Sequence, residues 1–255
     1  MEETNTNQLE QCISWTSGKT EHTYVFPPVG PNLYWEVGEK ILQRGLRVPT
    51  GDDIVPLLRG AYCDSHFKDA AAEYRSVLQS KGGVYVFNRN IWTSKGAYVI
   101  QDPEVDALQQ LRGNSEEVQV WDLMQLIEQG SNGRNGVRFS RDGKTRFAPK
   151  ESYTLGEINP QSLAEDGFVI ANFGERGARE ISEVAAQFNN KPFLRLMDVD
   201  EEFYGILRSP LDYKNKVVSV NTENDRLEIC GLRDDGINLR GDLKTSSFGV
   251  LSRVI

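Results

Sequence analysis

The spacing of apolar and polar positions along the chain predicts a protein that contains both helices and strands. Two pairs of β-prone runs enclose short glycine-containing loops and predict β-hairpins: 84–92 with 97–101, and 137–140 with 145–148. Apolar residues recur every three to four positions, as on one buried helix face, in four segments: 32–44, 66–80, 117–129 and 176–188. Three of these segments precede residue 130, so we expect a helix-rich N-terminal half.

The segment 168–199 predicts one βαβ unit. The run Phe168–Phe173 is almost entirely apolar, which is typical of a strand buried on both faces. A helical stripe over Arg176–Phe188 and a second apolar run over Pro192–Val199 follow it. This length suits a crossover between parallel strands. We therefore expect an α+β fold whose mixed sheet combines one βαβ unit with antiparallel hairpins.

The domain organisation has two interpretations at this stage. Residues 1–22 are polar and lack periodicity, so they predict a tail. The glycine-rich stretch 130–136 is the most linker-like part of the chain, and it divides a half at 23–129 from a half at 137–255. A length of 255 residues also allows one continuous domain over 23–255.

Composition and charge exclude several classes of protein. Apolar residues make up 38% of the chain, which is enough for a packed core, and no apolar run is long enough to span a membrane. The acidic, polar start lacks the features of a secretory signal, so we expect a cytoplasmic protein without a membrane partner. Three scattered cysteines and two histidines argue against a disulfide framework and a zinc site.

A basic hairpin is the first candidate site. Residues 134–150 contain six Lys or Arg residues and one acid, Asp142, which gives a local charge of +5 in a chain of net charge −8. A two-stranded ribbon with one cationic face can bind phosphates. The leading hypothesis is therefore a non-enzymatic binding protein for nucleic acid or a phosphorylated ligand, with four anion-binding residues: Arg138, Arg141, Lys144 and Arg146. The alternative is that these cations pair with the protein's own carboxylates.

A carboxylate cluster is the second candidate site. If the strands of the βαβ unit are parallel, their carboxyl ends share one edge of the sheet, which would bring Glu175, Asp198 and Asp200 together. Carboxylate oxygens are suitable ligands for Mg²⁺, so the alternative function is a Mg²⁺-dependent hydrolase or transferase. These acids are equally typical of solvated turn residues. No other cofactor is indicated, because the dinucleotide and phosphate-loop signatures are missing.

Four stretches of the chain carry a resemblance to a known group of proteins: Gly45–Asp52, Val86–Thr93, Val137–Gly143 and Asp166–Asn172. They resemble an uncharacterised family of archaeal proteins of unknown function, and together they span about residues 45–190. The resemblance implies an archaeal source and a cytoplasmic protein. It implies no activity, cofactor or catalytic residue, so it leaves open whether the protein is an enzyme.

Overall fold

The computed structural model describes most of the chain, over these residues: 11–17, 20–64, 68–80, 83–101, 119–188, 192–196, 207, 209, 211, 214–222, 226–233 and 245–251. The α-helices in these ranges are α1 (Tyr34–Gln43), α2 (Gly51–Cys63), α3 (Lys68–Leu78), α4 (Val120–Glu128), α5 (Pro160–Glu165) and α6 (Gly167–Ala185). The strands are β1 (Gln11–Ser17), β2 (Thr20–Asn32), β3 (Val84–Thr93), β4 (Gly96–Ile100), β5 (Ser131–Asn132), β6 (Arg138–Phe139), β7 (Thr145–Pro149), β8 (Gly156–Glu157), β9 (Phe193–Leu196), β10 (Lys214–Asn221), β11 (Glu228–Arg233) and β12 (Thr245–Leu251).

The strands form one predominantly antiparallel sheet. Its central path runs β5-β6-β7-β4-β3-β10-β11-β9-β8, and β12 joins it to β2 and β1. The pairing of β9 with β11 is parallel, and β12 adds a single parallel residue pair with β3. Helices combined with this sheet confirm the predicted α+β class.

Strand β3 is buried on both faces and lies at the centre of the layers. On one face Val84, Val86 and Trp92 pack into the main core, which also includes apolar residues of α2 and α6. On the other face Tyr85 and Phe87 pack with residues of α1, such as Val37, and Ile91 packs with residues of α4. The sheet therefore has helices on both sides.

The predicted βαβ unit is wrong, because Phe168–Phe173 is helical. These residues form the first part of α6, whose N-cap residue Asp166 accepts hydrogen bonds from the backbone N–H groups of Phe168 and Val169. This first part of α6 is buried between the sheet and α2 and is almost entirely apolar, and a short apolar run does not distinguish such a helix from a buried strand. Strand β9 does exist, but its parallel neighbour is β11.

Both predicted hairpins are confirmed. Strands β3 and β4 pair antiparallel, and so do β6 and β7 around the turn at 141–144. The helix-rich N-terminal half is not confirmed, because helices there alternate with long strands such as β2, which has 13 residues.

The proposed domain division stays a prediction. Residues 11–17 of the expected polar tail form β1, which pairs with β2. The glycine-rich stretch 130–136 contains β5 and a short 3₁₀ turn, and the sheet pairs β4 with β7 across it. None of the described helices is both long enough and apolar enough to cross a lipid bilayer.

Candidate functional site

The basic hairpin does not present a single cationic face. In the register of β6 with β7, Arg138 is opposite Phe147 and Phe139 is opposite Arg146. Directly opposite residues in an antiparallel pair point to the same side of the sheet. Arg138 and Arg146 therefore lie on opposite faces, and the expectation of one cationic face is wrong.

Two arginines of the hairpin lie at the C-terminal end of α4. Nη2 of Arg138 donates to the carbonyl oxygen of Ile127 at 3.2 Å, and Nε of Arg141 donates to the carbonyl oxygen of Gln129 at 2.9 Å. The last carbonyls of a helix lack partners within the helix, and cations there interact favourably with the helix dipole. Neither guanidinium forms a salt bridge to a carboxylate in the described ranges.

The turn of the hairpin is organised by its one acid. Oδ1 of Asp142 accepts hydrogen bonds from Oγ of Ser140 at 2.6 Å and from the backbone N–H of Lys144 at 3.0 Å. The Ser140 bond and then the Lys144 bond hold the pKa of this carboxyl below its ordinary value. Gly143 has φ of 71°, as such turns require. The side chains of Arg141 and Lys144 are exposed at this end of the hairpin.

Arg146 is in a different environment from the other three cations. Its side chain is only 9% exposed and forms a bidentate salt bridge with Asp52 at the start of α2, with Nη1–Oδ1 of 3.1 Å and Nη2–Oδ2 of 2.7 Å. Nη1 also donates to the carbonyl oxygen of Ala171 at 3.3 Å, and the guanidinium lies 5.8 Å from the centre of the Phe139 ring. The structure therefore shows that Arg146 pairs with a carboxylate of the protein itself, as the alternative interpretation of the basic hairpin expected.

Arg146 belongs to a buried polar cluster that surrounds a break in α6. The helix is interrupted at Gly174, where φ is 73° and ψ is 164°, so the carbonyls before the break lose their helical partners. The carbonyl oxygen of Asn172 accepts from Nδ2 of Asn88 at 2.7 Å and from Nε2 of Gln101 at 2.6 Å. Oδ1 of Asn88 in turn accepts from the backbone N–H of Gly51 at 2.9 Å, which links the cluster to α2.

Sequence reasoning missed this cluster, although one signal was present. Strand β3 has asparagines at positions 88 and 90, on the same face as the core residues Val86 and Trp92. Amides at two successive inward positions of an apolar strand need buried hydrogen-bond partners, because unpaired buried polar groups are costly. The pattern therefore indicates that backbone groups without hydrogen-bond partners lie opposite the strand. In this structure those groups belong to the break in α6 and to the start of α2.

A cleft of about 420 Å³ opens beside the break, between α2 and α6. Its charged lining residues are Asp52, Arg146, Glu175, Arg176 and Glu180. The apolar part of its wall is formed by Val55, Pro56 and Phe173, and glycine backbone contributes at positions 174 and 177. Two of the three predicted anion-binding arginines, Arg138 and Arg141, thus lie at the end of α4, and the third, Arg146, lies in this cleft.

The predicted Mg²⁺ site loses its structural basis. Its argument required two parallel strands that share one edge, and 168–173 is a helix. Oε1 of Glu175 accepts from the backbone N–H of Arg134 at 2.9 Å, whereas Asp198 and Asp200 lie outside the described residues. Among the residues whose positions are described, no three His, Cys, Asp or Glu side chains group as metal ligands would.

A second cavity, of about 630 Å³, lies beside α5 and the start of α6. Its lining is mainly polar, and it includes Ser152, Glu165 and the N-cap residue Asp166. Burial raises the pKa of Asp166 to about 6, against the lowering effect of backbone hydrogen bonds from Thr154, Val169 and Phe168. The carboxylate of Asp166 is thus engaged by backbone donors, which assigns it a structural role in starting α6.

Compared with known proteins, the chain matches no protein family, no curated protein and no solved structure. The resemblance to an archaeal family therefore stays a prediction, and the functional argument depends on the geometry of the chain itself.

Proposed function

We propose that the protein binds a phosphate-bearing partner at the end of α4, through a site that consists of Arg138, Arg141 and Lys144 and is called the α4-end site below. The observation that carries this proposal is the placement of two guanidiniums at one helix end, both bonded to neutral carbonyl oxygens. Because neither has a carboxylate partner in the described part of the chain, their charge is available to an external anion.

The donor geometry supports an oxyanion ligand. A guanidinium carries five N–H donors, and the bonds to Ile127 and Gln129 use one donor of Arg138 and one of Arg141. The two acceptor carbonyls are two residues apart, which corresponds to an axial rise of about 3 Å along a helix. Both guanidiniums are thus fixed at the same helix end, and charge-assisted bonds to phosphate are stronger than those between neutral groups.

The net charge of the chain favours a compact phosphorylated ligand over a long nucleic acid. The protein carries −8 overall, and exposed acids such as Asp122 and Glu128 lie on α4 itself. A long polyanion meets this repulsion along its length, whereas a short ligand meets the cations of the site and only the few acids close to it. We therefore expect binding that weakens as salt is added, because exposed charges are screened.

The test is a pair of charge-reversal variants with the same change in net charge. Arg141→Glu/Lys144→Glu alters the α4-end site, and Lys40→Glu/Arg179→Glu alters exposed cations elsewhere. Binding of pyrophosphate and of a short single-stranded RNA is measured at low ionic strength by calorimetry and fluorescence anisotropy. We expect the site variant to bind about tenfold more weakly than wild type, since a hydrogen bond to a charged group contributes about 1.5–3 kcal/mol.

The control variant should retain wild-type affinity for both probes. Equal weakening in the two variants would assign the effect to net charge and remove the proposed site. Absence of binding in wild type would remove the function. Binding of RNA without pyrophosphate would identify nucleic acid as the partner.

A further inference from the structure

We propose that the cleft between α2 and α6 binds a small carboxylic acid with an apolar body, whose carboxylate takes the place of Asp52 on Arg146. In this interpretation the Asp52–Arg146 salt bridge is a latch that occupies the site in the unliganded protein. The proposal is independent of the α4-end site, because it uses different residues on the other face of the sheet.

Asp52 is the displaceable member of the pair. Its side chain is 49% exposed, whereas that of Arg146 is 9% exposed. In the described part of the chain its carboxylate accepts hydrogen bonds from Arg146 alone. A rotation of this side chain therefore breaks contacts with only one residue and moves the carboxylate into solvent.

Arg146 stays in place when Asp52 leaves. Nη1 donates to the carbonyl oxygen of Ala171 at 3.3 Å, and Nε donates to that of Gly143 at 3.4 Å. A buried guanidinium without an anion is unfavourable, so the departure of Asp52 creates a requirement for another carboxylate. Exchange of one carboxylate for another preserves the bidentate geometry that arginine favours.

The remaining charges in the cleft select a monoanion. Glu180 pairs with Arg59 at 3.4 Å and with Arg176 at 2.8 Å, so its charge is balanced. Glu175 accepts a backbone N–H bond and forms no salt bridge with a described cation. A dianion such as phosphate would meet this additional negative charge, whereas a monocarboxylate replaces the charge of Asp52 one for one.

The walls and size of the cleft suit an apolar ligand body. Val55, Pro56 and Phe173 line it, and its volume of about 420 Å³ lies in the range of small-molecule sites. Gly174 keeps the approach to the salt bridge open: a Cβ atom there would lie 3.6 Å from both Nη1 of Arg146 and Oδ1 of Asp52. The site thus combines one fixed cation with an apolar wall.

The test uses benzoate as the probe and benzamide as its neutral counterpart. Binding is measured by calorimetry and by chemical-shift changes in wild type, Asp52→Asn and the control Glu73→Gln, which removes an exposed acid on α3 that does not line the cleft. We expect Asp52→Asn to bind benzoate at least about tenfold more tightly than wild type. In wild type the Asp52 carboxylate competes with benzoate for Arg146, and the asparagine amide forms weaker bonds to the guanidinium than a carboxylate does. Benzamide should show no such gain, and Glu73→Gln should bind benzoate as wild type does.

Equal affinity of Asp52→Asn and wild type for benzoate would overturn the proposal, and so would equal binding of benzoate and benzamide. If Asp52→Asn is unfolded in buffer, the readout becomes its refolding, followed by circular dichroism, as benzoate is added. Recovery with benzoate and not with benzamide supports the latch. Failure to recover with benzoate counts against it.

Discussion

Two helix ends in this protein have carbonyl oxygens bonded by arginine side chains, and they lie in different surroundings. At the break in α6, Arg146 is buried, neutralised by Asp52 and accompanied by the amides of Asn88 and Gln101. At the end of α4, Arg138 donates to a carbonyl in a part-buried position, and Arg141 donates to an exposed one. Water can replace the Arg141 bond but not the buried bonds at the break, so the same chemistry stabilises the fold in one place and leaves charge available in the other.

The largest expected difference between the two ends is in stability. Arg146→Gln should lower the free energy of unfolding by about 3 kcal/mol, because it removes the charged hydrogen bonds that the buried guanidinium donates to Asp52 and to the carbonyl oxygen of Ala171. Arg141→Gln should cost less than about 1 kcal/mol, because its site is exposed. Urea unfolding of both variants measures the contrast, and equal costs would contradict it.

The N-terminus of α6, where Asp166 is the N-cap residue, allows a test of stability against pH. The pKa of Asp166 is about 6 in the folded protein, above the ordinary value of 3.8, so the folded state holds the proton more tightly. Its contribution to stability is therefore present at low pH and is lost as pH rises from about 4 to about 6. Relative to Asp166→Asn, wild type should lose about 2–3 kcal/mol over this interval. Parallel pH profiles of the two proteins would contradict the shift.

The amide cluster at the break can be tested with neighbouring asparagines of one strand face. Asn88→Ala removes the bonds to Gly51 and Asn172 and should cost about 2 kcal/mol, since it leaves buried backbone groups unsatisfied. The control is Asn90→Ala, which removes one bond, from Nδ2 to the carbonyl oxygen of Asn88 at 3.2 Å, because Oδ1 of Asn90 is buried and has no hydrogen-bond partner in the described part of the chain. The control should cost less. Thermal and urea unfolding measure both, and a larger loss for Asn90→Ala would show that the break is held by other groups.

The smallest expected effect concerns the backbone of the break itself. Gly174 combines φ of 73° with ψ of 164°, a region that other residues rarely occupy, so Gly174→Ala should cost about 1–2 kcal/mol. Gly45→Ala is the control, with φ of 70° and no atom within 4 Å of the added Cβ. Its cost should be nearer 1 kcal/mol, at the lower end of about 1–2 kcal/mol for a left-handed residue. Equal stability of Gly174→Ala and wild type would exclude a conformational requirement at the break.

The sequence predicts local features of this fold better than features that depend on partners distant in the chain. The hairpin at 137–148 follows from alternation and an Asp-Gly turn, both of which are local. The run 168–173 was predicted as a strand because it is almost entirely apolar. It is apolar because the sheet and α2 cover it, and these segments are distant in the chain, so the sequence does not show that environment. A local signal for the helix was nevertheless present in Asp166, an N-cap residue type two positions before the run and directly before α6.

The candidate sites show the same division. Clustering of cations near the hairpin was visible in the sequence, but their assignment to faces depends on the register of β6 with β7. The partner of Arg146 is Asp52, 94 positions away, and no spacing in the sequence predicts that pair. The carboxylate hypothesis likewise depended on the topology of the sheet: its premise of a strand at 168–173 is wrong, and Asp198 and Asp200 lie outside the described residues.

The central strand of the sheet provides an internal reporter of whole-molecule opening. Strand β3 is hydrogen-bonded to β4 and β10 and covered on both faces, so no local motion of one layer exposes its backbone to water. Deuterium should enter its amides only when the sheet and the helices that cover it unfold together. The exchange rate of those few protons therefore yields the global equilibrium constant without denaturant, and ligands that bind the folded state should slow it in proportion to their occupancy.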